Sequence, residues 1–513
     1  MGQELASFSG VFARALILLL LTLVGCWPVW SVADWDGTEG RRVQIALEMS
    51  RSGDWMVPTL GGQATWAKPP LHYWLLGSLA RWLGDSFLIL RLPSVLSAFG
   101  AALLGGELLR RYFGSRAGWL VALGILCAPI VLNSWPTAEI DPLFASLTAM
   151  SLWCLATGVA RERRWLVVAS GLLGGLALLQ KGPPYFLFAF GAYLVWWRRR
   201  GLTLLPLHLL PMLLIVLAYY APLWLWRIAP GEMLAVANEE SVGRIALFEW
   251  EQVTSTPSYW LRAILVQVPF VFWCFWEWRG ARDARMDAGD LTLRMCSGAC
   301  VVAIGILTFF PGRPTRYILP NVLLFTFAVA PAVAHFSTHR GSLPTLARRS
   351  LIAVAVIGAL ALVVLPFVPQ VGPSALGLAL VVALAPSLVR TPARLVAFCL
   401  VLPLVAAWTV GLERTMHWQE GPRSRALAGQ TLRRELVAFG VGDDLSTRGH
   451  VDSALLLSAG LLPRGDESSR IQPTTRWLLD ELGSAPNGSP PDYVERLRIC
   501  LPFKFFSVRE RVE

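Results

Sequence analysis

Apolar runs long enough to cross a bilayer as helices, about 20 residues each, recur in this chain from residue 12 to residue 412. Of the 513 residues, 55% are hydrophobic and only 15% are charged, whereas ordinary soluble domains carry about 25% charged residues. The pattern therefore predicts an all-α polytopic membrane protein. It excludes a disordered chain, a coiled coil and a secreted disulfide scaffold.

The apolar runs predict about 13 transmembrane helices. They cover residues 12–32, 86–109, 117–135, 142–160, 165–180, 184–197, 203–226, 258–278, 292–310, 317–335, 350–368, 373–389 and 395–412. Arginine-rich junctions follow every even-numbered run, and cytoplasmic loops are where such excess positive charge accumulates. These charges predict a cytoplasmic N-terminus and an extracytoplasmic C-terminus.

The net charge of +11 lies wholly in residues 1–412, because residues 413–513 contain 14 basic and 14 acidic side chains. Since the basic residues stand between apolar runs, they indicate membrane topology and not a nucleic-acid partner. The tail combines helical patterns at 431–439 and 476–482 with Gly/Pro/Ser-rich breaks. We expect residues 413–513 to form a small extracytoplasmic α/β domain beside a transmembrane domain of residues 1–412.

The first outer loop, residues 33–85, carries two helical patterns. Glu39 to Ser52 has a helical rhythm and is followed by Gly53, a residue that commonly ends helices. A second helix is expected to open at Lys68-Pro69-Pro70-Leu71. Both are too polar or too short to span, so we expect surface-lying helices.

This loop also holds a candidate phosphate site. Lys68 precedes the start of a helix, where the helix dipole and unpaired N–H groups favour anions, and Arg41 can add a bidentate fork. The alternative is that Asp36 and Thr38 only cap the first helix, with Arg41 and Lys68 as topological or lipid-headgroup charges.

Asp141 stands at the start of the fourth run, on the same predicted face. Ionisable groups at membrane depth cost roughly 2.5–3.5 kcal/mol at a helix centre and usually have a function. The alternative is a helix cap, because Asp before Pro142 is a good N-cap. On this face also lie Lys181-Gly182-Pro183-Pro184, which is compatible with a plain turn, and the segment RPTRY that ends at Tyr317.

Five segments carry a resemblance to a known family. They are TEGRRVQIALEMSRSGDWMVPTLGG, AKPPLHYWLLG, AEIDPLFASLTAMSL, LLQKGPP and RPTRYILP, in this order over roughly residues 36–330. Together they resemble the polyprenyl-phosphate-dependent glycosyltransferases of the GT-C superfamily. The similarity is greatest to the lipid A aminoarabinose transferases and to the family 39-type bacterial relatives of protein O-mannosyltransferases.

The resemblance implies a GT-C fold in the inner membrane and a polyprenyl-phosphate sugar donor, with a lipid or protein acceptor. It implies that Arg41, Lys68 and Tyr317 bind the donor phosphate. The catalytic carboxylates would come from Asp36, Glu39 and Asp141. No metal or other cofactor is evident, since the chain has no Cys/His ligand cluster.

The chain departs from the family at one position. The family usually has Asp-Glu where this chain has Thr38-Glu39, so another carboxylate must act as the base. This departure leaves open an alternative, a non-catalytic polyprenyl-phosphate binder or flippase with the same fold. Because the family carries an aspartate there, the substitution Thr38→Asp is expected to be tolerated.

Overall fold

The computed structural model describes most of the first 416 residues and the strands of the tail. The described residues are 2–31, 35, 38–200, 203–226, 259, 288–308, 315–337, 348–349, 352, 355–356, 359–360, 373–416, 432, 445–448, 464–465, 477–482, 493–501 and 504–511. The chain forms two compact units. We name residues 1–29, 94–136 and 141–414 the helical unit, and residues 30–93, 137–140 and 415–513 the loop unit.

Within the described ranges the protein is mostly helical. The α-helices are α1 (Gly2–Trp30), α2 (Glu39–Ser52), α3 (Leu71–Leu83), α4 (Phe87–Phe113), α5 (Ser115–Leu126), α6 (Pro129–Ser134), α7 (Ile140–Ala160), α8 (Arg164–Lys181), α9 (Tyr185–Arg200), α10 (Leu205–Trp226), α11 (Ala288–Leu307), α12 (Leu319–Phe336), α13 (Pro373–Ala383), α14 (Ala385–Leu388) and α15 (Pro392–Met416). A 3₁₀ turn, Thr315–Ile318, precedes α12.

Five of the described helices are long and apolar enough to span a membrane. They lie at residues 10–30, 87–113, 140–160, 205–225 and 316–336. Shorter apolar helices lie at 115–126, 291–307 and 392–408. Most of the predicted runs at 258–278 and 350–368 fall outside the described residues. The helices confirm a multi-pass membrane protein.

The predicted third span, residues 117–135, is not one helix. It is divided into α5 and α6 at Cys127 and Ala128, and Ala128 has extended backbone angles, φ −64° and ψ 129°. Pro129 is the cause, because the proline ring disfavours the α conformation in the residue before it. Hydropathy alone does not reveal this break, because a proline interrupts the helix but leaves the run apolar.

Helices α9 and α11 of the helical unit cross at a pair of glycines. A Cβ atom added at Gly191 would overlap the backbone oxygen of Gly298, and one at Gly298 would lie 3.0 Å from the oxygen of Gly191. Such a crossing needs small residues, as membrane helices that pack backbone to backbone generally do.

We therefore expect Gly191→Ala to destabilise the protein by about 1–3 kcal/mol, because the added methyl group has to push the two helices apart. Gly305→Ala is the matched control. Gly305 lies further along α11, and a Cβ atom there would meet nothing within 4 Å. The measurement is thermal unfolding in detergent, and equal melting temperatures for the two variants would contradict the prediction.

The loop unit contains both predicted helices of the first outer loop. Helix α2 ends at Gly53, whose φ of 73° is left-handed, as a glycine C-cap allows. Helix α2 packs closely on α3, since a Cβ atom at Gly77 would lie 2.8 Å from the oxygen of Ala46. Val43, Ile45 and other buried side chains form the core between them.

A short hairpin follows α2 in the loop unit. Its strands are β1 (Thr59–Leu60) and β2 (Gln63–Ala64), and the turn uses Gly61 and Gly62 at φ of 63° and 81°. The carboxylate of Glu48 accepts hydrogen bonds from the Thr59 hydroxyl (2.9 Å) and from the N–H groups of Gly61 and Gly62 (2.8 and 3.1 Å). Glu48 therefore anchors the hairpin to α2.

The described part of the tail is a five-stranded mixed sheet. Its strands are β3 (Leu445–Arg448), β4 (Arg464–Gly465), β5 (Trp477–Leu482), β6 (Tyr493–Leu501) and β7 (Lys504–Arg511), in the order β4-β3-β5-β7-β6. The helix predicted at 476–482 is wrong, because this segment is β5. It pairs with β3 in parallel and with β7 in antiparallel orientation, so pairing on both sides overrides its helical pattern. Of the helix predicted at 431–439, only Leu432 is described.

Candidate functional site

A buried ion pair forms the centre of the first outer loop. The guanidinium of Arg91 on α4 donates to both carboxylate oxygens of Glu39, from Nε at 3.0 Å and from NH2 at 2.8 Å. The side chain of Glu39 is 0% exposed and that of Arg91 is 2% exposed. The ring centroids of Trp35 and Phe87 lie 5.5 and 5.6 Å from the guanidinium carbon of Arg91. Such a pair is stable only with good geometry, which this two-pronged arrangement provides.

The same carboxylate binds the chain just before α7. The N–H of Ala138 donates to Glu39, and the carbonyl oxygen of Ala138 lies 2.7 Å from Nε2 of the buried His72 on α3. Both backbone groups of Ala138 are therefore fixed, one by α2 and one by α3. The segment 137–140 is consequently fastened to the first outer loop.

Glu139, the next residue, reaches the start of α2. The Thr38 hydroxyl lies 2.8 Å from both oxygens of the Glu139 carboxylate, and the Thr38 N–H donates to Oε1, also at 2.8 Å. Thr38 precedes the first residue of α2, but its side chain forms no cap with that helix. The alternative that Thr38 only caps α2 is therefore wrong, because its hydroxyl binds Glu139.

The other residues predicted for the outer-loop site have different environments. Arg41 is exposed in the first turn of α2, and Lys68 is half-buried before Pro69 and Pro70. Asp36 lies outside the described residues. Glu39 is in place, but its carboxylate is enclosed in the ion pair with Arg91.

A second cluster lies in the helical unit, where α7, α8 and the 3₁₀ turn before α12 meet. The ammonium of Lys181 forms an ion pair with Asp141, and Nε of Arg316 lies 3.6 Å from the other oxygen of that carboxylate. The same ammonium is 4.4 Å from the ring centroid of Tyr317 and 5.3 Å from that of Phe144. The alternative of Asp141 as a helix cap is wrong, because it lies inside the first turn of α7 and binds Lys181.

This second cluster brings together Asp141 and Tyr317, two of the predicted residues, through Lys181. It holds two cations against one carboxylate, and the Arg316 side chain is 46% exposed. Cations with an exposed guanidinium are suited to an anionic group such as phosphate. In the described ranges, no three His, Cys, Asp or Glu side chains form a group that would hold a metal ion.

The sequence analysis did not single out Arg91, and it quoted segments that contain Glu139, Lys181 and Arg316 without assigning these residues a role. Arg91 carried a signal, because a charge inside the apolar run 86–109 is costly without a partner. Lys181 also carried a signal, because lysine is rare in this chain: only three of its 45 basic residues are lysines. Nothing in the sequence pairs Glu139 with Thr38, 101 positions apart.

Comparisons with known proteins agree with this architecture. Residues 67–226 match the family model described as dolichyl-phosphate-mannose-protein mannosyltransferase. An undecaprenyl phosphate-alpha-4-amino-4-deoxy-L-arabinose arabinosyl transferase of Pseudomonas fluorescens is 26% identical over 70% of this chain and 58% of its own length. A transferase of the same description from Pseudomonas savastanoi pv. phaseolicola is 26% identical over 64% of this chain and 62% of its own.

The fold matches solved structures over nearly the whole chain. ArnT from Cupriavidus metallidurans, bound to undecaprenyl phosphate, aligns with a TM-score of 0.68 over 98% of both chains at 18% identity. Its apo state aligns with a TM-score of 0.69. The chain is thus similar in sequence to these transferases and shares the fold of ArnT. In sequence it spans about three fifths of the length of the curated relatives it matches.

The matched family region includes much of the candidate chemistry. Lys68, Glu139, Asp141 and Lys181 all lie within residues 67–226, whereas the helix that carries Glu39 precedes them. The fold therefore rests on the whole-chain structural match, and the site has to be argued from its own geometry.

Proposed function

We propose that this protein is a membrane glycosyltransferase of the GT-C superfamily. It transfers a sugar from a polyprenyl-phosphate-linked donor to a lipid or protein acceptor on the outer face of the inner membrane. The observation that carries the proposal is the cluster of Lys181 and Arg316 around Asp141, whose surplus positive charge suits one phosphate group. The transferase names of its relatives and the undecaprenyl phosphate bound to ArnT support it.

The transfer reaction requires two kinds of side chain, cations and a carboxylate base. A polyprenyl phosphate leaves as an already ionised group, so cations have to stabilise the developing charge and no general acid is needed. Arg41, Lys68 and Tyr317 are the proposed donor phosphate ligands. A carboxylate has to take the proton of the acceptor, and Asp36, Glu39 and Asp141 are the candidates from the sequence.

The test of this function is a comparison of cell envelopes with and without the gene by mass spectrometry of glycolipids and glycoproteins. We expect one envelope component that carries an added sugar only when the gene is present. Purified protein should also bind undecaprenyl phosphate. Envelopes of identical composition would contradict the proposal, and binding without any sugar transfer would favour a binder or flippase.

The proposed topology has about 13 spans, a cytoplasmic N-terminus and an extracytoplasmic tail of residues 413–513. A reporter fused after Arg200 should be active only in the cytoplasm, and one fused after Glu513 only outside it, because arginine-rich junctions stay inside. The two fusions are compared in the same strain. A cytoplasmic signal from the Glu513 fusion would contradict the proposed topology, because it would place the proposed site on the cytoplasmic face of the membrane.

Lys68→Ala should weaken binding of undecaprenyl phosphate about ten- to a hundredfold, since one charged hydrogen bond contributes about 1.5–3 kcal/mol. Binding is measured by titration of the purified protein. Lys68→Arg keeps the charge and should retain part of the affinity. Arg81→Ala, which removes an exposed cation of the same loop, is the matched control. Equal affinities for Lys68→Ala and Arg81→Ala would show that Lys68 is a surface charge only.

A further inference from the structure

We propose that Glu139 is the carboxylate that takes the proton of the acceptor. The inference rests on the proposed function and names a residue for its central step. Its basis is the three hydrogen-bond distances of 2.8 Å that join the Thr38 hydroxyl and N–H to the Glu139 carboxylate. Thr38 stands where the resemblance leads one to expect an acidic residue, and the carboxylate found at this point of the loop comes from the segment before α7.

The backbone around Glu139 is fixed before any substrate arrives. Ala138 donates its N–H to Glu39, which Arg91 holds in turn, and the Ala138 carbonyl contacts His72. Groups that act in a transition state are most effective when the protein holds them in place beforehand. In this arrangement Glu39 and Arg91 are positioning residues, and Glu139 is the residue that meets the acceptor.

Exposure separates Glu139 from Glu39, and a structural role in the hairpin separates it from Glu48. Glu39 is completely buried, and Glu48 is occupied by the hydroxyl of Thr59 and two glycine N–H groups of the hairpin. Glu139 is half-buried, which leaves part of its side chain accessible. It also lies at the N-terminus of α2, where the helix dipole stabilises a carboxylate.

The step balances with the groups named. Glu139 takes the proton of the acceptor hydroxyl or amine while the acceptor atom forms a bond to the anomeric carbon of the donor sugar. The bond from that carbon to the phosphate oxygen breaks, and its electron pair leaves with the polyprenyl phosphate. One negative charge thus passes from Glu139 to the phosphate.

The first experiment measures two quantities for each variant, expressed in a strain without the gene. One is the amount of the sugar-modified envelope component, and the other is the affinity of purified protein for undecaprenyl phosphate. Glu139→Gln should lower the product about a hundredfold or more, because a general base contributes about 10²–10⁴-fold, with affinity within twofold of wild type. Glu139→Asp, which keeps a carboxylate, should give an intermediate amount. Asp85→Asn changes an exposed acid of the same loop and is the matched control.

Wild-type product from Glu139→Gln would overturn the inference while leaving the proposed function intact. A wild-type protein that forms no product and does not bind undecaprenyl phosphate would overturn both. If Glu139→Gln fails to fold, the inference is tested with Thr38→Val and Thr38→Ser instead. Thr38→Val removes the hydroxyl that positions Glu139 and should lower the amount of product several-fold. Thr38→Ser keeps a hydroxyl and should restore the amount of product. Equal product from the two Thr38 variants would also overturn the inference.

Discussion

Arg91→Leu is expected to destabilise the folded protein by about 3–5 kcal/mol, the usual cost of removing one partner of a buried ion pair. The cost arises because Glu39 is 0% exposed and would lose the guanidinium that now binds both of its oxygens. The expected result is a large fall in the melting temperature in detergent, followed by intrinsic tryptophan fluorescence.

Two controls make this prediction specific. Arg51→Leu removes an exposed arginine from the last turn of α2 and should change stability by less than about 0.5 kcal/mol. The double variant Arg91→Leu/Glu39→Leu removes both charges together and should recover much of the loss. If Arg91→Leu melts at the same temperature as Arg51→Leu, the buried pair contributes nothing to stability.

Thr38→Asp is expected to lower sugar transfer about ten- to a hundredfold, which reverses the expectation drawn from the sequence. The introduced carboxylate would replace a hydroxyl that lies 2.8 Å from both oxygens of Glu139. Two like charges about 4 Å apart repel by about 4 kcal/mol at an effective dielectric constant near 20, and partial exposure of Glu139 reduces this to about 1.5–3 kcal/mol. The pair must then share a proton or separate, and Glu139 loses its position either way.

Thr38→Asn is the neutral, similarly sized control and should keep most of the transfer. In the double variant Thr38→Asp/Glu139→Gln the two roles are exchanged, because the introduced amide can donate to the introduced carboxylate. We expect this variant to transfer more sugar than either Thr38→Asp or Glu139→Gln alone. Product from Thr38→Asp equal to that of Thr38→Asn would show that the two side chains are not coupled.

Much of the fold was predictable because apolar length and helix-ending residues are local signals. Helix α2 covers Glu39–Ser52 and stops at Gly53 as expected, and α7 begins next to Asp141. Two predicted elements were wrong for different reasons. Pro129 breaks an apolar run whose hydropathy gives no sign of the break, and Trp477–Leu482 becomes a strand because two other strands pair with it.

The site was less predictable because its partners are distant in sequence. Glu39 was identified as a carboxylate in a suggestive loop, but its partner Arg91 lies 52 positions away in an apolar run. Asp141 was singled out from the sequence, whereas the two cations that contact it, Lys181 and Arg316, come from two other elements. Residue type and local spacing can nominate such groups, but only the tertiary structure pairs them.

The fastening of Ala138 to Glu39 has a consequence for biosynthesis. Glu39 emerges from the ribosome 52 residues ahead of Arg91 and 99 residues ahead of Ala138. A nascent chain that ends between Arg91 and Ala138 already contains Glu39 and its ion-pair partner Arg91. It does not yet contain Ala138, whose N–H donates to Glu39. The contact between Glu39 and Ala138 can therefore form only after α4, α5 and α6 have been synthesised, so the first outer loop is completed late in translation of this region.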